Sequence, residues 1–197
     1  MKRLRLIITG DRGVGKTSLA TRFCLCGFVP DYDNFLDETF RKLMIIDEEC
    51  VSVEVLDGSD YEWGRNGPQT VRRLYIKEAS CFFIVYSVAC RSSFENVTAI
   101  YQEVFMAKDP ELCPAIIVAA KCDLADSDHE VSTSEGQRLA EVLGCEFIET
   151  SAKEDHNVTE AFTSVIRLTT SRNPHWQVVH QSSLPHEHRC LGRCVVI

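Results

Sequence analysis

The chain has 197 residues, of which 45% are hydrophobic and 25% charged, and its formal net charge is −8. This length suits one domain with a sizeable buried core. The negative charge argues against a nucleic-acid-binding protein, which would carry a basic patch. It also means that an anionic membrane surface would repel the folded body, so membrane attachment would need a separate anchor.

The ten cysteines do not form the pattern of a disulfide framework. Cys24 and Cys26 stand two apart on a predicted helix, so they point to different faces and suit neither a bridge nor a metal. Free cysteine behaves as a small hydrophobe in apolar surroundings. The cysteines in or beside apolar runs are Cys81, Cys90, Cys113, Cys122 and Cys145. We therefore expect a reduced, cytosolic compartment.

The longest apolar stretch, residues 79–90, is shorter than the roughly 20 residues that a membrane-spanning helix needs. The apolar part of the first nine residues is also too short for a signal peptide. We therefore expect no membrane-spanning segment.

Apolar runs alternate with segments of helical period, which predicts an α/β fold with a six-stranded, mostly parallel sheet flanked by helices. The predicted strands are residues 4–9, 39–46, 51–56, 80–88, 115–120 and 145–150. Only residues 47–50 separate the second strand from the third, so these two should form an antiparallel hairpin. The other strands need helical crossovers and should be parallel and buried.

Three helices show apolar stripes that we expect to face the core. The first stripe consists of Phe94, Val97, Tyr101, Val104 and Phe105. The second consists of Leu139, Val142 and Leu143, on a helix that Ser132 or Thr133 caps and Gly144 ends. The third consists of Val158, Phe162, Val165 and Thr169.

The periodic pattern ends near Ser171, where Asn173 and Pro174 break the last helix. Residues 1–172 are therefore predicted to form one domain, and residues 173–197 a flexible tail.

A glycine-rich loop at residues 10–17, here called the P-loop, matches G-x-x-x-x-G-K-[ST] between a predicted strand and a predicted helix. Backbone N–H groups in such a loop converge on phosphate oxygens. Lys16 would add a positive charge, and the Thr17 hydroxyl suits magnesium. A chance glycine-rich turn of this pattern is expected in roughly one chain in a hundred. The expected phosphate contacts are Gly10, Asp11, Arg12, Gly13, Val14, Gly15, Lys16, Thr17 and Ser18.

Two later loops, here called the base loops, follow the fifth and sixth predicted strands. Residues 120–123 read Ala-Lys-Cys-Asp, and residues 150–153 read Thr-Ser-Ala-Lys. Each is a weak signal alone, but open α/β sheets bind ligands at the ends of their strands. Together with the P-loop they resemble the N-K-x-D and S-A-K motifs of the Ras-like small GTPases, over roughly residues 2–170.

This resemblance implies a P-loop small G domain that binds GTP or GDP with Mg²⁺ and hydrolyses GTP. Asp123 would accept hydrogen bonds from guanine, Lys121 would pack over the base, and the Ala152 N–H would meet the guanine oxygen. Adenine cannot offer the same donors, which disfavours a P-loop ATPase or kinase. The residues implied around the base are Phe28, Ala120, Lys121, Asp123, Ser151, Ala152 and Lys153.

Ala120 departs from the family pattern, because it replaces the asparagine of the guanine motif. In the family that side chain bonds the base and ties the loop to the P-loop. Its loss should cost about 1–3 kcal/mol of affinity if a buried polar partner is left unpaired. We expect faster nucleotide exchange with binding retained.

The segments that sense the γ-phosphate also depart from the family pattern. Asp57 matches the aspartate of the D-x-x-G motif and, with Thr17, would hold magnesium. Asp60 stands where the family has a phosphate-contacting glycine, and Tyr61 where it has the glutamine that orients the attacking water. Phe35 stands where a threonine contacts magnesium and phosphate.

Arg12 occupies a P-loop position that is usually glycine in the family. We expect it to block the arginine of a GTPase-activating protein, although it could instead act as an arginine finger in cis. The candidate catalytic residues are Lys16, Arg12 and the impaired Tyr61.

Three interpretations remain open for the altered switches. In the first, other side chains compensate for the substitutions. In the second, the chain is a slow GTPase. In the third, it is a pseudo-GTPase that serves as an interaction module without cycling. A switch needs contacts that differ between its two nucleotide states, and these substitutions reduce them.

The segment before the second strand resembles the family's effector region. Its candidate contacts are Tyr32, Asp33, Asp37, Glu38 and Phe40. Asp37 and Glu38 could pair with a basic domain that adds a strand at this edge, or they could form a solvated acidic face. Unchanged partner binding after reversal of both charges would exclude the effector hypothesis.

Cys194-Val195-Val196-Ile197 reads as a C-a-a-X box, with Cys194 the prenylated residue. One lipid chain rarely anchors a protein stably, so Cys190 is a candidate for a second lipid. We expect a monomer on the cytoplasmic face of a membrane, most simply the plasma membrane. Its expected partners are effectors, exchange factors and GTPase-activating proteins.

Overall fold

The computed structural model describes residues 2–27, 39–58, 69–108 and 113–172. The described residues form one six-stranded sheet with the strand order β2-β3-β1-β4-β5-β6. The strands are β1 (Lys2–Gly10), β2 (Thr39–Ile46), β3 (Glu49–Asp57), β4 (Cys81–Ser87), β5 (Ala115–Ala120) and β6 (Glu146–Thr150). β2 and β3 are antiparallel and the other neighbours are parallel. The predicted sheet and its hairpin are confirmed.

Helices cover both faces of this sheet. They are α1 (Lys16–Leu25), α2 (Gln69–Glu78), α3 (Arg91–Glu95), α4 (Val97–Phe105), α5 (Thr133–Leu143) and α6 (Val158–Arg172). α1 and α6 bury their apolar residues on one face, while α2, α4 and α5 do so on the other. The result is a three-layer α/β fold, as the sequence predicted. None of the described helices is long and apolar enough to cross a membrane.

Aromatic packing joins α1 to α6. The rings of Phe23 and Phe162 are stacked with centroids 3.7 Å apart, and Phe83 of β4 meets Phe162 edge-on at 4.8 Å. The whole predicted stripe on α6, including Thr169, is buried. This packing holds α1, which begins at Lys16 in the P-loop region, against the core through Phe23 in its last turn.

The predicted caps of α5 are confirmed. The Ser132 side chain accepts a hydrogen bond from the Glu135 backbone N–H, the Glu135 side chain accepts one from the Ser132 backbone, and Gly144 ends the helix in a left-handed conformation. Val142, however, is 78% exposed, so its predicted place in the core is wrong. The buried face is centred on Gly136 and Ala140.

Gly136 explains this shift of the buried face. A Cβ atom at Gly136 would lie 2.4 Å from the Tyr86 hydroxyl and 2.5 Å from the Phe147 ring. α5 therefore approaches the sheet closely through its smallest residue, which turns Val142 toward solvent.

The predicted stripe from Phe94 to Phe105 extends over two helices, because the chain is interrupted at Asn96 between α3 and α4. Asn96 keeps helical dihedral angles of −76° and −14°, so the periodicity continues across the interruption. Val97 and Val104 are buried, and Phe94, Tyr101 and Phe105 pack against the same core.

The eight cysteines in the described ranges are all free. Cys24 is buried and Cys26 exposed, which confirms that they point to different faces. Burial raises the pKa of the Cys113 thiol to about 12, as expected for a cysteine that packs as a hydrophobe. The reduced compartment stays a prediction.

Candidate nucleotide-binding site

The P-loop, Asp57 and the base loops, all within the described residues, converge at one edge of the sheet. β1, β3, β5 and β6 are parallel in this sheet, so their carboxyl ends share that edge. β1 ends at Gly10, β3 at Asp57, β5 at Ala120 and β6 at Thr150. Open α/β sheets bind ligands at this edge.

The P-loop needs glycine for two physical reasons. A Cβ atom at Gly10 would lie 2.2 Å from the Val85 carbonyl oxygen of β4, so only glycine allows this approach. Gly15 caps α1 with a φ of 110°, a left-handed conformation that side chains rarely adopt. α1 then begins at Lys16, and its first N–H groups have no partner within the helix, which makes its N-terminus suited to an anion.

Lys16 is held at the centre of the P-loop. Its Nζ atom donates to the Gly10 carbonyl oxygen at 3.0 Å and to the Asp11 carbonyl oxygen at 2.7 Å. Only 6% of the residue is exposed. The two carbonyl oxygens fix the position of the lysine side chain in the loop that is expected to bind phosphate.

Thr17 and Asp57 meet directly, because the Thr17 hydroxyl donates to Asp57 Oδ2. Asp57 is 3% exposed. In the described ranges, no group of three His, Cys, Asp or Glu residues could hold a metal. One hydroxyl and one carboxylate are the oxygen donors that fit Mg²⁺, which completes its coordination with water and substrate phosphates. The predicted magnesium ligands therefore lie together.

Asp123 is fixed by the second base loop. Its Oδ1 atom accepts a hydrogen bond from the Ser151 hydroxyl at 2.7 Å, and Lys153 Nζ lies 3.9 Å from Oδ2. The Ser151 hydroxyl also accepts from the Glu154 backbone N–H at 3.0 Å. The Asp123 side chain is 11% exposed. A carboxylate held this way can accept hydrogen bonds from a purine edge with little reorganisation.

Lys121 connects the first base loop to the P-loop. Its Nζ atom donates to the Gly13 carbonyl oxygen at 2.7 Å. The neighbouring Ala120 is 2% exposed, and a Cβ atom at Gly15 would lie 3.8 Å from the Ala120 methyl group. The connection between the two loops is thus present without the asparagine that Ala120 replaces.

Two contacts were missed by sequence reasoning. Arg22 Nε donates to the Ala152 carbonyl oxygen at 2.6 Å, and its Nη2 donates to the Lys153 carbonyl oxygen at 2.9 Å. Asn96 Nδ2 donates to Asp11 Oδ2 at 2.7 Å. The only sequence signal for Arg22 was a basic residue in the last turn of α1, and Asn96 gave none.

The remaining P-loop residues have distinct surroundings. Val14 is buried, Arg12 is exposed, and Ser18 is half-buried in the first turn of α1. Phe40, a predicted effector contact, is half-buried at the start of β2 and packs against the core.

Several predicted site residues lie outside the described residues, and their roles stay predictions. They are Phe28, Tyr32, Asp33, Phe35, Asp37, Glu38, Asp60, Tyr61, Cys190 and Cys194.

Comparison with known proteins decides the family. The Ras family model matches residues 5–171. The chain belongs to the Ras family. It is 39% identical over 166 residues to the Ras-like protein rasC of Dictyostelium discoideum, which covers 84% of this chain and 86% of that protein. Ras-family proteins are small GTPases that in general bind GTP and GDP with Mg²⁺.

Proposed function

We propose that this Ras-family chain acts in membrane-associated signalling, and that it binds guanine nucleotide with weak intrinsic GTP hydrolysis. The observation that carries the proposal is a contrast within one site. The groups for binding lie together, whereas the family's γ-phosphate and water-positioning residues are replaced in the sequence.

The binding part rests on three fixed groups. Lys16 is buried among carbonyl oxygens, the Thr17 hydroxyl meets Asp57, and Asp123 is oriented by Ser151. They would contact the phosphates, the magnesium ion and the base, respectively. Each is held by hydrogen bonds within the protein, so little reorganisation should oppose binding.

The weak-hydrolysis part rests on the sequence. Tyr61 replaces the glutamine that orients water, and a phenol cannot supply the paired donor and acceptor of an amide. The exposed Arg12 side chain adds bulk to the P-loop, where it would hinder the arginine of a GTPase-activating protein. Asp60 would place a negative charge beside the γ-phosphate.

Single-turnover kinetics test the proposal. Nucleotide is extracted from the purified protein and identified, and GTP hydrolysis is then followed with magnesium. We expect bound guanine nucleotide, slow hydrolysis and no acceleration by a GTPase-activating protein. Tyr61→Gln should hydrolyse GTP faster than the parent, whereas Tyr61→Phe, which keeps the bulk, should not. Hydrolysis at the ordinary family rate, or strong acceleration by an activating protein, would contradict the proposal.

A pseudo-GTPase is the second candidate, favoured by Asp60 and Phe35, which replace γ-phosphate contacts in both switches. Such a chain would hold nucleotide as an interaction module without cycling. The same experiment separates the two: bound GTP with no measurable turnover indicates the pseudo-GTPase, and bound GDP with slow turnover indicates the weak enzyme.

The membrane part of the proposal rests on Cys194, Val195, Val196 and Ile197, which have the pattern of a prenylation motif, with Cys190 as the second acylation site. Cys194→Ser should move the full chain from the membrane fraction to the soluble fraction of cells. Cys26→Ser, which alters an exposed cysteine of the folded domain, is the matched control. Equal membrane binding of the Cys194→Ser variant and the parent would refute the anchor.

A further inference from the structure

Asp11 is a carboxylate within a loop that binds phosphate. Like charges at short range repel, most strongly where water is partly excluded. An Asp11 side chain that turned toward the nucleotide would therefore weaken binding. The structure shows what restrains it: Asn96 Nδ2 donates to Asp11 Oδ2 at 2.7 Å. An ionised carboxylate only accepts hydrogen bonds, so the amide nitrogen must face it.

Asp11 also touches the phosphate-binding lysine. Its backbone carbonyl oxygen accepts a hydrogen bond from Lys16 Nζ at 2.7 Å. Asp11 thus accepts a hydrogen bond from Asn96 with its side chain and one from Lys16 with its main chain. A shift of the Asp11 main chain would change both contacts together.

Asn96 is held in a fixed position by the residues around it. It follows α3 and precedes Val97, which is fully buried. The Ser93 hydroxyl donates to the Cys90 carbonyl oxygen at 2.7 Å and accepts from the Ser87 backbone N–H at 3.1 Å. α3 is therefore fastened to the end of β4, and Asn96 offers its amide from a fixed position.

We propose that Asn96 is a positioning residue for nucleotide binding. It holds the Asp11 carboxylate at the junction of α3 and α4, and it thereby keeps the Asp11 carbonyl on Lys16. This inference rests on the guanine-nucleotide binding of the proposed function, and it adds a residue outside the P-loop and the base loops to the site.

Exchange of the two side chains tests the proposal on the full chain. Asn96→Asp would set two carboxylates against each other, whereas Asp11→Asn with Asn96→Asp restores one amide and one carboxylate in reversed order. Dissociation of a fluorescent GDP analogue is measured with magnesium and excess unlabelled GDP. We expect Asn96→Asp to raise the dissociation rate roughly tenfold or more, and the exchanged pair to return it to within about threefold of the parent.

Gln102→Glu is the matched control, because it makes the same amide-to-carboxylate change at an exposed position of α4. Its dissociation rate should equal that of the parent. The proposal is overturned if Asn96→Asp behaves like Gln102→Glu. It is also overturned if the exchanged pair releases nucleotide as fast as Asn96→Asp. If Asn96 had only a structural role, a second change at Asp11 would not restore slow dissociation.

A second set of variants tests the proposal if Asn96→Asp does not fold. If thermal melts show that Asn96→Asp does not fold, Asn96→Ala, Asp11→Ala and their combination replace it. Non-additive effects on dissociation support the coupling, and additive effects overturn it. A parent protein that binds no GDP would contradict the proposed function, whereas a parent that binds GDP and tolerates Asn96→Asp would contradict this inference alone.

Discussion

Asp123 and Ala120 stand three residues apart in the first base loop, and they have opposite consequences for the nucleotide. Asp123 has the carboxylate acceptor that we expect to read a guanine edge, and Ser151 holds it in place. Ala120 brings a methyl group where the family has an amide. The Lys121 contact with Gly13 preserves the connection between the loops. The expected loss of nucleotide affinity therefore comes only from the missing hydrogen bonds of the asparagine amide.

Restoring the amide tests this interpretation. Ala120→Asn should slow GDP dissociation, because a buried polar partner left unpaired costs about 1–3 kcal/mol, or roughly 5- to 150-fold in rate, and the asparagine amide would pair it again. Ala120→Leu, which adds similar bulk without a polar group, is the control and should not slow dissociation. Stopped-flow or manual-mixing release of a fluorescent GDP analogue gives both rates. An asparagine variant that releases nucleotide no more slowly than the parent would contradict the account.

At the scale of elements, α5 owes its start to a charged cap. Hydrogen bonds from the Ser132 backbone N–H, from Arg91 and from the Ser132 hydroxyl lower the pKa of Glu135 to about 2 from an ordinary 4.5. A carboxylate with a lowered pKa stabilises the folded state above its ordinary pKa, and this contribution is lost as the pH falls toward the folded-state value.

Glu135→Gln should therefore lower the Tm by a few degrees at pH 7, since it keeps an acceptor but removes the charge from the first turn. The difference from the parent should shrink as the pH falls from 4.5 toward 2. Thermal unfolding at several pH values across this range measures the difference in Tm, with Glu141→Gln at an exposed position of the same helix as the control. A difference that stayed constant with pH would show that the charge of Glu135 is not responsible.

Strands and helix ends were predictable from sequence where a single local pattern determined them. Fully buried strands such as β4 read as continuous apolar runs, and Ser132 or Thr133 ahead of the apolar residues of α5 indicated its cap. Val142 was misplaced because the close approach at Gly136 is a tertiary effect. The interruption at Asn96 was missed because its dihedral angles stay helical.

Across the whole molecule, the segments of the site are joined by contacts between residues that are far apart in sequence. The separations are 108 residues for Lys121 with Gly13, 130 for Arg22 with Ala152 and 85 for Asn96 with Asp11. Motifs place the P-loop and the base loops at one sheet edge, but they do not specify which side chains bridge them. The position of the P-loop and the base loops at one sheet edge was therefore predictable from sequence, whereas the contacts of Arg22 and Asn96 with these loops were not.

Nucleotide selectivity tests the central claim, that the P-loop holds phosphates while Asp123 reads guanine. The purified full chain is titrated with GDP, GTP, ADP and ATP in the presence of magnesium, beside an Asp123→Ala variant. The account predicts that GDP and GTP bind, that the adenine nucleotides do not compete, and that the variant loses this preference. Absence of GDP and GTP binding at about 1 mM, or equal binding of ATP, would contradict it.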